Sequence, residues 1–579
     1  DADEQRVLEG FERGPVVGVD QRLVSEVIAE QVGATPDAVA LVCGEREVSY
    51  REFGARVGVL ARELISAGVG PEVTVALCMP RSVEMVVAVH AVVAAGGQFM
   101  PIAVDAPDER AGYMLEVTDS RLLLVSDRSV GAHVAALAQE QGLPVIGVDA
   151  CGEVDVDTPA VTDVDRLSPL GLDHPMYTLF TSGSTGRPKG VTTAHRGINN
   201  RLWWGVSAMP IDEADRVVLK SPYTFDVVLA ELFAPFLVGA RLVILAPDVH
   251  LAPVALADEF ERAGVTTAHF VPSMLSVFLD VCGRERVSSL SSLRIISTTG
   301  EALAPSMAAT VREWLPQTRL VNLYGPTEAS VEISGQQVVE VSAADATVPI
   351  GSVVWNGQVA VLDRRLKRVP VGTAGELYIG GVQVGRGYAG RPDLTADRYV
   401  ADPFGEPGAR MYRTGDLVRW NARGELEYLG RTDFQVKLRG QRVELGEIET
   451  VIASVPGVRH VAATVLPSAT GDQLVAWVAP AASIDMEAIE AALVHAVPVY
   501  MRPTAWVVLD EMPLNPSGKV NRGVLPAPEF TEAEYIAPEG NREELIAGVF
   551  ADVLGVEQVS VVASFFDAGG NSLSATRVA

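Results

Sequence analysis

One pattern constrains this chain more than any other: from about residue 38 to 430, short apolar runs alternate with amphipathic stretches of helical length. VTVALCMP (73–80) leads into RSVEMVVAVHAVVAAGG (81–97) and then RLLLVSD (121–127). Further on come RVVLKS (216–221), ARLVILAP (240–247), TTAHFVPS (266–273) and LRIISTTG (293–300). Strand-length runs separated by helix-length segments predict an α/β protein with largely parallel sheets, because parallel neighbours need a crossover and a helix supplies it. From about 350 the runs shorten between glycine turns, as in GQVAVLD (357–363), GELYIGG (375–381) and GELEYLGR (424–431). That change predicts a subdomain that is antiparallel or barrel-like.

Residues 434–528 read as β, α, β, β, α, β, from FQVKLRG and LGEIETVIASV to DMEAIEAALVHAV and TAWVVLDEM, which predicts a small α+β lobe. The Pro- and Glu-rich PAPEFTEAEYIAPEG then reads as a linker, and NREELIAGVFADVLG as a helix. The sequence ends nine residues beyond Gly570. A helix there has little to pack against, so a further helical domain is expected only in part. The expected organisation is a leading linker (1–21), a large core domain (22–432), a small lobe (433–528), a second linker (529–540) and a partial domain (541–579).

A length of 579 residues exceeds one compact core and predicts about three or four domains. The 48% hydrophobic and 21% charged content is globular rather than disordered. A net charge of −28 repels nucleic acid and anionic membrane, so neither is expected as a partner, although local donors and a metal can still hold an anion. The longest apolar stretch, Met85 to Gly97, is interrupted by His90 and too short to span a bilayer. The opening DADEQRVLEG has no apolar core and does not read as a signal peptide. Cys43, Cys78, Cys151 and Cys282 form no CxxC pair, which argues against a zinc site or disulfide framework and fits a reducing cytoplasm. Only five of the 46 basic residues are lysine: Lys189, Lys220, Lys367, Lys437 and Lys519. A chain so partial to arginine keeps lysine where a compact ammonium is useful.

Three of those lysines lie in motifs. Leu179-Phe-Thr-Ser-Gly-Ser-Thr-Gly-Arg-Pro-Lys-Gly190 leaves the apolar run PMYTLF as a loop. Gly183, Gly186 and Gly190 permit close backbone approach, Thr181, Ser182, Ser184 and Thr185 offer hydroxyls, and Lys189 adds charge. The combination suits polyphosphate, although GxxxxGK[ST] does not fit and a bare Ser/Gly loop is the alternative. Gly385-Arg-Gly387-Tyr-Ala-Gly390 satisfies GxGxxG, but Arg391-Pro392 follows and no helix with an acidic partner is expected, so it reads as a loop.

The loop at 179–190 resembles the phosphate loop of the adenylate-forming superfamily, and four further segments follow in the family's order. Asn322-Leu-Tyr-Gly-Pro-Thr-Glu328 resembles the adenine and metal segment, Tyr412-Arg-Thr-Gly-Asp416 the ribose motif, and Gly430-Arg-Thr-Asp433 the hinge. Asn515-Pro-Ser-Gly-Lys519 resembles the loop that carries a late catalytic lysine. The resemblance covers about residues 22–528 and is closest to the adenylation domains of nonribosomal peptide synthetases. It implies a large α/β core of two sheet subdomains plus a barrel-like one, a small mobile lobe, and ATP and Mg²⁺ as cofactors. Tyr324 would stack on adenine and Asn322 would lie beside it. Thr327 would contact the α-phosphate, Glu328 would ligate the metal, and Asp416 would accept the ribose hydroxyls next to Arg431. Lys189 would hold phosphate, Lys519 would stabilise charge in the transition state, and Asp433 would be the hinge.

Phe565-Phe-Asp-Ala-Gly-Gly-Asn-Ser572-Leu resembles the carrier-protein motif, with Ser572 taking 4′-phosphopantetheine; the same serine would also serve as a helix N-cap. The partial domain is then the start of a peptidyl carrier in cis. Neighbouring synthetase domains (condensation or cyclization type upstream), a small MbtH-like protein and a secondary-metabolite pathway are the remaining partners and context that the resemblance implies.

Asp226, in Phe225-Asp226-Val227, matches the acid that meets a substrate α-ammonium, with helix capping as its alternative. Carried over from the family, the rest of the pocket is Val227, Ala230, His269, Ser297, Thr299, Leu323, Val331 and Glu332, with Lys519 on the carboxylate. His269, Leu323 and a terminal acid resemble serine-selecting pockets, whereas Ala230 stands where those have Trp and Ser297 where they have a larger apolar residue. Both departures open space. The expected substrate is a hydroxyl-bearing amino acid somewhat bulkier than serine, such as α-methylserine. A cationic side chain paired with Glu332 is the rival, and a free acyl-CoA ligase the nearest alternative enzyme.

Overall fold

The computed structural model describes residues 2–126, 131–148, 152–183, 186–433, 435–438, 441–467, 472–515, 520–528, 536–562, 565, 574–575 and 578. Of the candidate site residues, Ser184, Thr185, Lys519 and Ser572 lie outside these described residues, as does Cys151.

Among the described residues the large domain is carried by two α/β sheets. The first has nine strands, in the spatial order Ser352–Val353, Ser334–Gln337, Arg319–Tyr324, Ile295–Thr298, Thr267–Phe270, Arg216–Leu219, Arg241–Ile244, Val39–Cys43 and Arg46–Ser49. Its central strands run parallel and its ends antiparallel. The second has seven: Gly387–Tyr388, Lys189–Ala194, Pro175–Thr181, Gln98–Pro101, Thr74–Cys78, Leu122–Val125 and Val145–Gly147.

Between the sheets lies the helix Val83–Ala95, buried on every side, as its composition of valine and alanine requires. Ser82 caps it by accepting from the Met85 amide, and Gly96 ends it in the left-handed region at φ +92°. His90, the one polar group inside, bonds Leu232 O through Nε2 at 2.9 Å, and burial pushes its pKa down to about 4. It is a neutral core histidine. The helix Val228–Leu237 is equally apolar and packs into the same core, which fixes the loop before it, Tyr223 to Val227.

The antiparallel expectation holds beyond 350: Gly357–Leu362, Gly375–Gly381, Arg410–Trp420, Tyr399–Ala401 and Leu426–Arg431 form a five-stranded sheet. The segment expected only as a leading linker instead forms a helix, Ala2–Phe11, docked on this subdomain. Leu8 is buried there, the Phe11 and Trp420 rings lie 5.7 Å apart, and Glu12 pairs with Arg368 at 2.8 Å. Its apolar positions find a partner that their local sequence does not announce. A second difference concerns the GxGxxG segment. A short helix, Pro392–Arg398, does open after it, but the segment contributes only the two-residue edge strand Gly387–Tyr388.

The small lobe follows the expected order with one added strand, since its first strand is a hairpin. The hairpin Val436–Leu438/Gln441–Val443 precedes the helix Leu445–Ala453, and His460–Leu466, Gln473–Ala479 and Ala505–Val508 form a sheet with the helix Met486–Ala496. Its main core draws on residues 436–506 only, so the lobe is built around itself. The helix Asn541–Leu554 carries a further small cluster, with Leu554, Val559 and Phe565 buried.

Candidate active site

The pocket lies against the parallel strands Arg216–Leu219, Thr267–Phe270 and Ile295–Thr298. Strand register sets His269 directly beside Ser297, and His269 Nδ1 lies 3.1 Å from Ser297 Oγ. These two, with Val227 and Ala230, line a cavity of about 520 Å³, part of it open to solvent. Its far wall is apolar, built by Val206, Met209, Ile211, Val217 and Ala234. Ala230, one turn into the helix Val228–Leu237, leaves that wall accessible. Thr299, Leu323 and Val331 are buried near the pocket rather than lining this cavity.

Asp226 stands just before the helix. Burial pushes its carboxyl up to about 6, against hydrogen bonds from the Thr327 hydroxyl and the Val227 amide, and the nearby Glu332 and Glu328 add to the rise. Among the described residues no ion pair meets it. The capping alternative is not met, because the helix starts from Val227 with no side-chain cap, and the anion lacks a counter-charge among the described residues. Glu332 is fully buried, and its Oε2 accepts from Arg201 Nε at 2.5 Å. Arg201 is a pocket residue that sequence reasoning missed. It sits in a helix, His195–Ala208, with no local signal beyond a basic residue in an otherwise buried stretch.

The residues of the phosphate-type loop and of the tyrosine–aspartate segments are equally pre-built. Gly183 must be glycine, since a Cβ there would fall 1.8 Å from Arg187 O. The Thr181 hydroxyl is buried with no hydrogen-bond partner among the described residues. Lys189 is buried, and burial lowers its ammonium to about 8, with Arg442 acting the same way. Glu328 is fully buried. Burial alone would raise its pKa, but Arg442, Lys189 and the Tyr388 hydroxyl outweigh this and hold it at about 2. Tyr388 donates to Oε1 at 2.7 Å and Arg442 to Oε2 at 2.9 Å. The Tyr324 hydroxyl donates to Asp416 Oδ2, and Arg431 pairs with Asp416 Oδ1 at 2.5 Å. Asn322 is brought to the same strand, but its amide is engaged by Pro349 O at 2.8 Å, so it braces the strand. Val331 follows Ser330 with both in the left-handed region, at φ +80° and +57°. For a β-branched residue this is a strained position, of the kind that clusters at functional sites.

Five side chains of the small lobe close on this region. Lys437 Nζ lies over the Tyr324 ring, 5.5 Å from its centroid. Arg442 reaches Glu328, and Glu444 lies 3.5 Å from Lys189 Nζ. Glu447 accepts from the Gly183 amide at 2.9 Å and from Arg110 at 2.8 Å, and Thr450 packs against Gly186. Ser182 Oγ donates to Arg442 O at 2.6 Å and accepts from the Glu444 amide at 3.1 Å. At the connection, Asp433 chelates Arg431 through both oxygens, at 2.7 and 2.9 Å. Arg442, Glu444 and Glu447 were legible as part of the hinge-and-lobe segment, although not as site residues. Tyr388 lay hidden in the GxGxxG segment.

A phosphate-type loop with an orphaned hydroxyl, a buried anionic glutamate and a tyrosine–aspartate edge, facing an ammonium-bearing lobe, define an enzyme that activates acids through nucleotide phosphates. The chain belongs to the AMP-binding enzyme family: the family model matches residues 28–389 and the AMP-binding enzyme C-terminal domain matches 447–519. Within that family its relatives are nonribosomal peptide synthetases. It is 42% identical to phosphinothricin tripeptide synthetase PhsB of Streptomyces viridochromogenes over 97% of this chain and 47% of that one. It is 39% identical to enterobactin synthase component F of Escherichia coli K12, over 97% and 44%. Holo-PA1221, an NRPS protein containing adenylation and PCP domains, superposes with a TM-score of 0.81 at 26% identity, over 96% and 91%. The chain spans about half the length of the curated relatives it matches.

The fold is thus that of an adenylation domain, and the chemistry that of an AMP-forming ligase using ATP and Mg²⁺. The residues present fit both. Glu328 is held anionic in a buried niche where a guanidinium stands in for a cation, and the orphaned Thr181 hydroxyl and the Gly183 cradle suit phosphate oxygens. Among the described residues no helix is long and apolar enough to cross a membrane.

Proposed function

We propose that this chain activates an amino acid as its aminoacyl adenylate and passes it to the phosphopantetheine thiol of a carrier domain in cis, within a larger peptide synthetase. The carrying observation is Asp226: a carboxylate next to the cavity-lining Val227, raised in pKa by burial and lacking a counter-charge among the described residues, is completed by a substrate α-ammonium. In the first step a substrate carboxylate oxygen bonds to the α-phosphorus of ATP while the bond to pyrophosphate breaks. Two anions must meet, so charge neutralisation dominates the barrier. Lys189 holds phosphate, Thr327 orients both Asp226 and the α-phosphate, and Lys519 bridges the reacting carboxylate and phosphate. Bound at Glu328, Mg²⁺ supplies neutralisation of the phosphate oxygens. Tyr324, Asp416 and Arg431 hold the nucleoside.

The lobe position favours the second half-reaction. Glu447, a carboxylate, occupies the Gly183 amide, and Arg442 covers Glu328. Both places suit the phosphates and their cation, so this docking and bound pyrophosphate compete. With pyrophosphate gone, the lobe turns about Asp433 and Lys437 replaces Lys519 over the site. Ser572 would hold phosphopantetheine, whose thiol would supply the nucleophile that accepts the acyl group as AMP leaves. The docked helix Ala2–Phe11 is compatible with a linker from an upstream condensation or cyclization domain. An MbtH-like protein and a cytoplasmic setting complete this reading.

For the substrate, His269, Ser297 and Glu332 with the space behind Ala230 favour a hydroxyl-bearing amino acid larger than serine, such as α-methylserine. A pyrophosphate-exchange panel of serine, α-methylserine, threonine and diamino acids tests it. The hydroxy amino acids should lead, and exclusive turnover of a plain apolar acid would refute the assignment.

A further inference from the structure

Glu332 looks, from its position alone, like a partner for a cationic substrate. The structure gives that role to the protein itself. Arg201 is 2% exposed and Glu332 0% exposed, and the two are joined at 2.5 Å with no solvent to screen them. The guanidinium lines the cavity beside His269, Ser297 and Ala230, and it comes from a helix that the family's pocket positions do not include. Two polar atoms near it, Glu332 Oε1 and His269 Nε2, are buried with no hydrogen-bond partner among the described residues. A buried polar atom left in this state calls for a partner, and the cavity is where one would enter.

We propose that Arg201 is a specificity-determining residue: by neutralising Glu332 it makes the pocket exclude cationic side chains and select neutral ones that hydrogen-bond. This rests on the reading that residues 226–332 receive an amino-acid side chain. An incoming ammonium would face a guanidinium already holding the carboxylate it needs, and like charges at this range in a desolvated site repel strongly. A neutral hydroxyl or amide meets no such penalty. A hydroxyl can donate its one proton to Glu332 Oε1 and accept from His269 Nε2–H when the Ser297 hydroxyl donates to Nδ1, and an amide NH2 can donate to both Glu332 Oε1 and an unprotonated Nε2. The apolar wall of Val206, Met209 and Ile211 then takes up a carbon substituent on the same side chain.

The test is ATP–pyrophosphate exchange on the whole chain with 2,4-diaminobutyrate, ornithine, aspartate, serine and α-methylserine, for wild type, Arg201→Leu, Glu332→Gln and the double variant. In Arg201→Leu the exposed Glu332 should raise kcat/KM for diamino acids relative to neutral ones by at least about tenfold, one unit of log K in coupling free energy. In Glu332→Gln the unpaired guanidinium should instead raise the ratio for aspartate by a similar factor. The double variant should show neither change. Melting curves accompany each variant. If Arg201→Leu does not fold, Glu332→Gln and the double variant decide. Unchanged ratios in folded single variants, a gain of cationic substrates that persists in the double variant, or wild-type preference for a diamino acid would each overturn the assignment. Wild-type turnover of an apolar amino acid alone would refute the hydroxyl reading and leave the charge ratios to judge Arg201.

Discussion

Asp226 converts burial into a pH dependence with a definite sign. Its carboxyl is raised to about 6, so in the empty protein it takes up a proton as the pH falls through that value. An ammonium binds only the anion, so kcat/KM for the amino acid should fall about tenfold per pH unit below the midpoint. Asp226→Asn should lower the rate at neutral pH by about 10² or more and erase the inflection, as read by pyrophosphate exchange. Stability runs the other way. A folded-state pKa above the unfolded one means that the folded protein binds the extra proton, so stability falls as the pH rises through this interval. Without ligand, Asp226→Asn should therefore melt higher than wild type near pH 7.5, a result that calorimetry would give directly. Glu328 is the opposite case, since Arg442 and Lys189 hold it at about 2 despite burial. Glu328→Gln leaves those cations unopposed, and removing one such electrostatic contact costs about 2.7–4 kcal/mol of transition-state stabilisation. Adenylation should drop by about 10²–10³, with the loss only partly recovered by excess Mg²⁺.

At the scale of elements, the helix Leu445–Ala453 is tied to the phosphate loop through Glu447, which joins the Gly183 amide to Arg110 of the helix Asp108–Val117. These contacts exist only when the lobe is docked as it is here. Arg110→Ala should therefore slow transfer to the carrier thiol by about tenfold while leaving pyrophosphate exchange within about twofold, because the buried carboxylate loses its partner only in the docked state. Gel-based loading of a carrier with radiolabelled amino acid, set beside exchange rates, separates the two half-reactions. Equal loss in both would show that Arg110 serves the core rather than the docking. Lys437→Ala should behave in the same way, since its ammonium reaches Tyr324 in this lobe position.

The molecule as a whole is assembled from units with their own cores. The pocket residues 201–332 lie in the two-sheet domain, whereas the lobe core draws on 436–506. Deleting residues 436–579 should thus leave amino-acid binding detectable by calorimetry, weakened by loss of the Lys519 contact to the carboxylate, and reduce adenylate formation by at least about 10². Loss of binding would mean that the lobe shapes the pocket, contrary to this division.

Much of this architecture was legible before any coordinates. The alternation of apolar runs and helices pointed to largely parallel sheets, since each helix supplies the crossover that parallel neighbours need. The shift to short, glycine-bounded strands marked the antiparallel subdomain, and the β-α-β-β-α-β order marked the lobe. The loop at 179–190 pointed to Lys189 by its own glycines and hydroxyls, whereas Glu328, Tyr324 and Asp416 were expected only through the resemblance of the motifs at 322–328 and 412–416 to those of a known family. Other features were decided in three dimensions. Arg201 reaches Glu332 across 131 residues, Arg442 reaches Glu328 across 114, and Glu447 reaches Gly183 across 264. The amphipathic helix Ala2–Phe11 finds its partner surface more than 300 residues away. Charge pairing and burial depend on distance in space, and only the folded chain determines which buried acid is left for a ligand and which is already answered by the protein's own arginine.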